Sequence, residues 1–369
     1  MNLHKILDIT VNSKLLFIFV KKANESYNRK MPKEVYLYKK LPHEKVQCKT
    51  CAHYCTLSPG QRGKCGVREN IEGKLYALNY EKAIALNVDP IEKKPFFHFL
   101  PGSYSLSMAT VGCNLTCLNC QNWEISQSFK GRKEIPGERI SPREIVNLAL
   151  KHKVASISYT YTEPTIFLEY ALDTMKLAKE KKLKNNFVSN GFMSKESAKL
   201  ILPYLDAINI DLKSFKDKFY QEICGAKLKP VLETAKLMKK SGVWIEITTL
   251  IIPTFSDDFK MLEKIAKWIA KELGTETPWH LSQFCGQISW RLQHLPDTPL
   301  ETLEKAIEIG KKANLKYVYI GNVPGHKAEN TFCPKCKELI IKRVNYHIHR
   351  YDKEGKCPKC NENLNLILK

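Results

Sequence analysis

The sequence predicts an α/β protein whose main body is an incomplete (β/α)6-type TIM barrel, with a Cys-rich segment before it and a Cys-rich tail after it. From about Ser105 the chain alternates short β-rich runs with amphipathic helical runs, a pattern typical of βα units around a parallel sheet. Six or seven such units are visible without an obvious eighth, so we expect the barrel to remain open. A chain of 369 residues with 43% apolar composition can bury a core of that size.

The strands and helices of this barrel are predicted in order from local signals. The first strand is expected at 105–111. The next helix should begin at the capping box Ser141-Pro-Arg-Glu144 and run to about residue 153, and a further helix is expected at 165–182. A second capping box, Thr298-Pro-Leu-Glu301, is expected to begin the last helix. The remaining strands are predicted at 155–159, 186–189, 207–212, 244–251, 279–284 and 316–321.

The chain divides into four parts by composition. Residues 101–326 carry the barrel pattern, residues 31–100 form a Cys-rich metal-binding segment, and residues 327–369 form a short tail that is similar to a zinc ribbon. Residues 1–30 show no clear pattern beyond a short apolar stretch, and Met31 opens a segment that leads directly into the first cysteine cluster. Our hypothesis is that the first part is an extension and that Met31 is the true start.

The chain is strongly basic, with 59 Lys and Arg against 38 Asp and Glu and a formal net charge of +21. Such a charge attracts polyanions. Much of it, however, comes from Lys interleaved with Glu on predicted helix faces, a pattern also expected of a solvated or heat-adapted surface. Nucleic acid is therefore a less favoured partner. The apolar run at 15–20 is too short to span a bilayer, so we expect a cytoplasmic protein without membrane contact.

Eleven of the 13 cysteines fall into three tight clusters, whose internal spacings suit metal ligation in a reducing compartment better than disulfides. The other two, Cys224 and Cys285, are interpreted as buried or idle thiols.

The central cluster is a C-x3-C-x2-C run, Cys113, Cys117 and Cys120, placed directly after the first predicted strand. A structural zinc site takes four protein ligands, whereas a four-iron cluster held by three thiolates keeps one iron open to a small molecule. The loops after the strands of a βα barrel form its active face. We therefore expect a reactive cofactor on this loop, and a zinc site completed by a distant His or Cys is the less favoured alternative.

This motif resembles the radical SAM superfamily, whose signature is a C-x3-C-x2-C run in this place. The resemblance implies a [4Fe-4S] cluster on the three cysteines and S-adenosylmethionine (SAM) bound to its open iron. It further implies one-electron cleavage of SAM to methionine and a 5′-deoxyadenosyl radical that abstracts hydrogen from a substrate, with an electron donor such as ferredoxin or flavodoxin. One departure is Asn119, because the residue before the third cysteine is often aromatic in this superfamily.

Further candidate SAM contacts follow other predicted strands. Glu163 resembles the position whose Glu or neighbouring backbone binds the SAM amino group, and turn chemistry before a helix is its alternative. Asn190, Asp211 and Lys213 resemble SAM-contacting positions of glycyl-radical-enzyme activases, in which the lysine would face the SAM carboxylate. A structural acid–base pair is the alternative for the last two. His280 resembles a histidine near SAM in the same activases, and a core or surface histidine is an equally supported interpretation.

The two flanking clusters each contain four cysteines. The C-terminal set forms two C-x2-C knuckles that match a zinc ribbon holding one tetrahedral Zn²⁺, and a redox dithiol is the less favoured interpretation. The N-terminal set has unusual spacing, so zinc and an auxiliary iron–sulfur cluster both remain open, and His53 could replace one ligand. The C-terminal ligands are Cys333, Cys336, Cys357 and Cys360, and the N-terminal ligands are Cys48, Cys51, Cys55 and Cys65.

Over residues 31–369 the order of elements resembles the AmmeMemoRadiSam system radical SAM proteins, a family similar to pyruvate formate-lyase activating enzyme. The resemblance implies association with Memo-type and AMMECR-type proteins and gives no substrate. A radical SAM enzyme of unknown substrate is the leading interpretation. The alternatives are a glycyl-radical-enzyme activase, a basic metal-binding module that recognises nucleic acid, and a nucleic-acid-modifying radical enzyme. The carrying segments are 48–68, 112–127, 159–167, 317–325 and the terminal ribbon.

Overall fold

A computed structural model describes residues 32–344 and 346–369, so the extension predicted at 1–30 and the start predicted at Met31 lie outside the described residues. The chain first forms the short strands β1 (Lys33–Glu34), β2 (Tyr38–Lys40), β3 (Val46–Cys48), β4 (Thr56–Leu57), β5 (Arg68–Ile71), β6 (Lys74–Ala77) and β7 (Lys82–Ala83). The first six of these strands pair antiparallel in two sheets, with the orders β1-β6-β5 and β2-β3-β4.

The next strands are β8 (Ala85–Pro90), β9 (Tyr104–Ala109), β10 (Glu138–Arg139), β11 (Ser156–Tyr159), β12 (Lys184–Ser189), β13 (Ala207–Asp211), β14 (Trp244–Ile251), β15 (Trp279–Gln283) and β16 (Val318–Gly321). All except β10 form one eight-stranded sheet in the order β16-β15-β14-β13-β12-β11-β9-β8. From β9 to β16 every pairing in this sheet is parallel, and β8 joins the edge antiparallel to β9. The carboxyl ends of the seven parallel strands therefore meet at one edge.

Helices cover this sheet between the strands, as βα connections require. Helix α2 begins at the predicted capping box: the Ser141 Oγ accepts from the Glu144 backbone N–H, and the Glu144 carboxylate accepts from the Ser141 backbone N–H at 2.7 Å. The helices are α1 (Trp123–Ser126), α2 (Pro142–Lys151), α3 (Leu168–Glu180), α4 (Lys195–Ile201), α5 (Asp217–Phe219), α6 (Leu228–Lys240), α7 (Phe259–Trp268) and α8 (Leu300–Lys312).

The second predicted capping box is wrong. Helix α8 has Pro299 at its N-cap position with no side-chain hydrogen bond. The Thr298 hydroxyl instead donates to the Ile251 carbonyl and accepts from the Phe284 backbone N–H at 2.9 Å. This side chain is buried and ties the ends of β14 and β15 together, because two buried partners from neighbouring strands compete successfully with a cap at a solvent-facing helix end.

The α/β class and the order of the predicted parallel strands are confirmed, with bounds that differ by at most two residues. The structure adds β8, which the sequence pattern did not indicate. In the described residues β8 and β16 form the two edges of the sheet and do not pair with each other, and closure of the sheet into a partial barrel stays a prediction. No helix in the described ranges is long and apolar enough to cross a membrane.

A loop at residues 91–103 packs below the amino ends of the parallel strands. The Glu246 carboxylate accepts backbone N–H groups from Phe97, His98 and Phe99 at 3.0, 2.9 and 3.2 Å. The C-terminal part of the chain packs on the same loop through a hydrogen bond from the Ile367 N–H to the His98 carbonyl at 2.8 Å. That part contains β17 (Thr331–Phe332), β18 (Leu339–Val344) and β19 (His347–Arg350).

Candidate metal and cofactor site

The Cys113–Cys120 loop begins four residues after β9, at the carboxyl edge of the sheet. Gly112 directs its course, because φ is +109° there and a Cβ would lie 3.0 Å from the Cys65 carbonyl oxygen. Only glycine accepts both constraints without displacing the backbone. The loop is then fixed from the opposite side, where the Thr116 N–H donates to the Cys224 carbonyl at 2.9 Å.

The three thiols of this loop are half-buried and have weak polar neighbours. The Cys113 Sγ accepts from the Leu115 backbone N–H at 3.4 Å and lies 3.8 Å from the Asn190 Nδ2. The Cys120 Sγ lies 3.4 Å from the Ser126 hydroxyl. Backbone and side-chain donors of this kind stabilise thiolates and tune the potential of an iron–sulfur cluster.

The spacing of the three thiols fits a multi-iron cluster better than a single ion. Among the described residues, the group whose ligand atoms all lie within 4.8 Å of one another is the C-terminal cysteine set. The loop thiols do not form such a group, although a single tetrahedral zinc with bonds of ~2.3 Å would hold its sulfur ligands that close. Three thiols on one loop, spread wider than one ion permits, are the donor set that a [4Fe-4S] cluster with an open iron requires.

Asp211 and Lys213 lie beside this loop at the end of β13. The Lys213 Nζ donates to the Asp211 carboxylate at 2.8 Å, with 14% of the lysine side chain and 35% of the aspartate side chain exposed. Burial lowers the pKa of Lys213, but Asp211 and the Cys117 and Cys224 sulfur atoms more than offset this, so the pKa is raised well above its usual value. The structure therefore holds a permanent ammonium group beside Cys117, with a partly exposed carboxylate next to it.

Glu163 lies next to the cluster loop, but its carboxylate is already engaged. One oxygen accepts from Thr165 and from the Ser189 hydroxyl at 2.9 Å, and the other accepts from the Asn190 backbone N–H at 2.8 Å. The side chain is buried, and burial raises the pKa of Glu163. This side chain caps the following turn and holds the end of β12, and its contact with SAM, through the carboxylate or the neighbouring backbone, stays a prediction.

Asn190 connects that strand end to the cysteine loop. Its Nδ2 donates to the Asn114 Oδ1 at 2.8 Å, and its Oδ1 accepts from the Phe192 backbone N–H at 2.9 Å. Asn114 in turn donates to the Phe192 carbonyl at 3.1 Å. The structure thus brings Asn190 to the predicted site, where it supports the loop beside Cys113.

The structure does not bring His280 to this site, and that expectation is corrected. Its Nε2 lies 2.7 Å from the Glu246 carboxylate, and its ring packs on Phe97 and Tyr319. Burial raises the pKa of Glu246, but the hydrogen bond and charge of His280 lower it more, to about 2. The imidazole is buried above the loop at 91–103, because the Glu246 carboxylate gives it a partner on the amino side of the sheet.

Two residues at the site carried no sequence signal. Cys224, interpreted from the sequence as a buried or idle thiol, is buried, and its thiol lowers the pKa of Cys117. The Tyr220 hydroxyl accepts from the Lys213 backbone N–H at 3.1 Å. Both belong to a turn of π-helix at Tyr220–Cys224, a local geometry that residue spacing does not reveal. The Asn119 Oδ1, in the loop itself, is buried without a hydrogen-bond partner among the described atoms.

The N-terminal cysteines line one void together with Arg68 and Ile166. His53 does not replace one of them, because its Nε2 lies 2.8 Å from the Asn114 carbonyl oxygen and its ring packs on Phe192. The C-terminal cysteines form the compact group described above, with Sγ–Sγ distances of 3.5 Å for Cys333–Cys360 and Cys336–Cys357. These distances fit four ligands around one metal ion.

Comparison with known proteins supports the assignment of this loop. The Radical SAM superfamily matches residues 108–269, a range that contains the three cysteines and the Asp211–Lys213 pair. The uncharacterised protein MJ0808 of Methanocaldococcus jannaschii is 47% identical over 339 residues, which is 91% of this chain and 100% of that protein. The chain therefore contains a radical SAM domain at residues 108–269 and belongs to the same family as MJ0808.

More distant similarities include two proteins that are named as activating enzymes. The pyruvate formate-lyase 1-activating enzyme of Escherichia coli is 23% identical over 153 residues, which is 40% of this chain and 61% of that enzyme. A domain of pyruvate-formate lyase-activating enzyme from Bacteroides vulgatus matches 46% of this chain and 99% of its own, with 17% identity and a TM-score of 0.40. Streptococcus suis SuiB bound to S-adenosylmethionine matches 61% of this chain and 52% of its own, with 13% identity and a TM-score of 0.46.

Membership of the superfamily makes the protein an enzyme of the radical SAM type and implies a [4Fe-4S] cluster, SAM and an electron donor. Activase-like relatives agree with this class. The C-terminal cysteine group could bind a metal.

Proposed function

We propose that the protein binds a [4Fe-4S] cluster on Cys113, Cys117 and Cys120 and binds SAM beside it against Asp211 and Lys213. When bound, the cluster and SAM supply a 5′-deoxyadenosyl radical that abstracts hydrogen from a substrate. The observation that supports this proposal most is the meeting of three thiols and one half-buried ion pair at the carboxyl edge of the parallel sheet. In open α/β sheets and barrels this edge is where ligands bind.

The residues of this edge have separate tasks in the proposal. The ammonium group of Lys213 faces the SAM carboxylate, and the partly exposed Asp211 carboxylate accepts from the amino group or the ribose hydroxyls. Glu163 and Asn190 fix the end of β12 against the cysteine loop, and in the proposal both stay SAM contacts, Glu163 through its carboxylate or the neighbouring backbone. Burial of the loop between the N-terminal segment and the main sheet limits access of water to the reacting atoms.

The test uses reduced protein and SAM without any substrate. Protein whose cluster content has been measured should slowly release 5′-deoxyadenosine and methionine, and Cys113→Ala should release neither. A fully loaded, strongly reduced sample that leaves SAM intact would overturn the proposal. Faster cleavage on adding one protein, metabolite or RNA would identify that molecule as the substrate or its carrier.

A glycyl-radical-enzyme activase is the second candidate, because relatives named pyruvate formate-lyase-activating enzyme match 40% and 43% of the chain. This function requires a partner enzyme that carries the target glycine. Incubating the reduced protein with SAM and a candidate partner should then produce a glycyl radical, detectable by electron paramagnetic resonance. SAM cleavage without a radical on any partner would favour another substrate.

The finer assignments belong to the same proposal. We place the protein in an AmmeMemoRadiSam system, associated with Memo-type and AMMECR-type proteins, with ferredoxin or flavodoxin as electron donor and Zn²⁺ on the C-terminal cysteines. The support for zinc is the pair of 3.5 Å Sγ–Sγ distances. Co-purification of a Memo-type or AMMECR-type protein with the tagged chain from its native host tests the association.

A further inference from the structure

We propose that Cys48, Cys51, Cys55 and Cys65 hold an iron–sulfur cluster, separate from the one on the Cys113 loop, in the void that they line. The first support is enclosure. Three of the four cysteines are at least nine-tenths buried, and the void between them is walled by protein. Buried thiols that face one space lose hydration, a cost that a metal centre offsets by ligation.

The spacing of the four thiols favours a cluster over a single zinc ion. Zinc–thiolate bonds of ~2.3 Å hold the sulfur atoms around one ion within ~4 Å of one another. Among the described residues, ligand atoms that all lie within 4.8 Å of one another are found at the C-terminal set and not here. The same chain therefore shows a close arrangement of thiols at the C-terminal set and a wider arrangement at the N-terminal set.

A buried cation supplies an independent indication that something occupies this void. Arg68 lines it, is 2% exposed, and donates from both terminal nitrogens to Glu169 at 3.2 and 2.6 Å. Its Nε is also buried and has no hydrogen-bond partner among the described atoms. A buried N–H without an acceptor costs ~1–3 kcal/mol. A sulfide or thiolate of a cluster in this void would supply such an acceptor.

The proposed cluster would lie directly behind the radical SAM loop. The Cys65 carbonyl oxygen is 3.0 Å from the point where a Cβ of Gly112 would stand, one residue before Cys113. Ile166 lines the void and also approaches that point, at 3.2 Å. Cys51 pairs in a β-bridge with Met193, close to the Asn190–Phe192 turn that supports Cys113. Both sets of thiols are therefore held by one continuous piece of structure.

The test removes the radical SAM ligands and asks what metal remains. The variant with Cys113, Cys117 and Cys120 all changed to Ala is purified anaerobically and reconstituted with iron and sulfide. It should retain about two to four irons, an equal amount of sulfide and about one zinc. Adding Cys48→Ala and Cys55→Ala should abolish iron and sulfide and leave the zinc. Retention of about two zinc ions and no sulfide in the first variant would overturn the proposal.

A second comparison avoids dependence on the folding of the first variant. In otherwise unchanged protein, the Cys48→Ala and Cys55→Ala pair should lose the iron of one cluster while SAM-sensitive signals of the other remain. Cys285→Ala is the matched control and should lose no iron. Equal iron in the unchanged protein, the Cys48/Cys55 variant and the control would refute the proposal.

Arg68→Lys should keep the iron and lower the midpoint potential of this cluster, because an N–H donor to sulfur is lost. An unchanged potential would contradict the role of the Arg68 Nε. Failure of SAM cleavage leaves these outcomes unaffected, since the first variant lacks that cluster by design.

Discussion

Replacing Lys213 by Ala should weaken SAM binding by roughly tenfold to a hundredfold while leaving the iron content unchanged. Lys213 is a buried ammonium whose one acid partner, Asp211, is 2.8 Å away and partly open to the site. A charge-assisted hydrogen bond is worth ~1.5–3 kcal/mol, and each 1.4 kcal/mol changes affinity about tenfold. The loss of SAM affinity has two causes. The variant lacks the cation that faces the SAM carboxylate, and it leaves the Asp211 carboxylate without its partner, so that this carboxylate repels the SAM carboxylate.

Equilibrium binding of SAM to cluster-loaded protein, with iron and sulfide measured on the same sample, checks this prediction. Lys216→Ala is the matched control. Lys216 also forms an ion pair, with Asp258 at 2.6 Å, but both side chains of this pair are at least 40% exposed. Such a surface pair contributes ~0–1 kcal/mol and should not affect SAM. Wild-type SAM affinity in Lys213→Ala with full iron content would refute the assignment, and loss of iron would instead make Lys213 a residue that supports the cluster.

Three other predictions follow from buried groups. Burial lowers the pKa of His98 to about 4 from 6.5, so the unfolded chain binds this proton first and stability should fall by about 3 kcal/mol as the pH drops from 6.5 to 4. Urea unfolding at several pH values checks this, and His98→Gln should remove that share of the pH dependence. Cys224→Ala should lower the midpoint potential of the Cys113-loop cluster at unchanged iron content, because the Cys224 thiol lowers the pKa of Cys117 and so stabilises negative charge on that sulfur; a redox titration that gives the wild-type potential would contradict this. Cys357→Ala should remove the C-terminal metal and lower the thermal unfolding temperature without changing iron content, and metal analysis with a melting curve would expose either part as wrong.

The sequence predicted those parts of the molecule that depend on neighbours along the chain. The parallel strands, the Ser141 capping box and the spacing of the three loop cysteines are all local patterns, and the structure agrees with each pattern. The Asp211–Lys213 pair was also accessible, because two residues at the end of an apolar strand necessarily meet.

The sequence could not predict contacts whose partners lie far along the chain. Glu163 was expected at SAM, but Ser189 and Asn190, 26 and 27 residues further on, occupy its carboxylate. His280 was expected at the same site, but its ring is held by Glu246 on the adjacent strand, a residue 34 positions away in sequence. The importance of Cys224 depends on a π-helical turn that brings it to Cys117. In each case the partner of a buried polar group is a residue that the fold brings close to it in space.

The hydrogen bonds between residues 98–100 and residues 364–367 have a consequence for how the molecule is assembled. The Leu100 N–H donates to the Ile367 carbonyl at 2.7 Å, and the His98 Nδ1 lies 3.1 Å from the Leu364 carbonyl oxygen. A ribosome adds about 5–20 residues per second, so every strand of the main sheet emerges well before these partners exist. The loop at 91–103, below the amino ends of the strands, therefore keeps unpaired backbone groups until residues 364–367 have been synthesised.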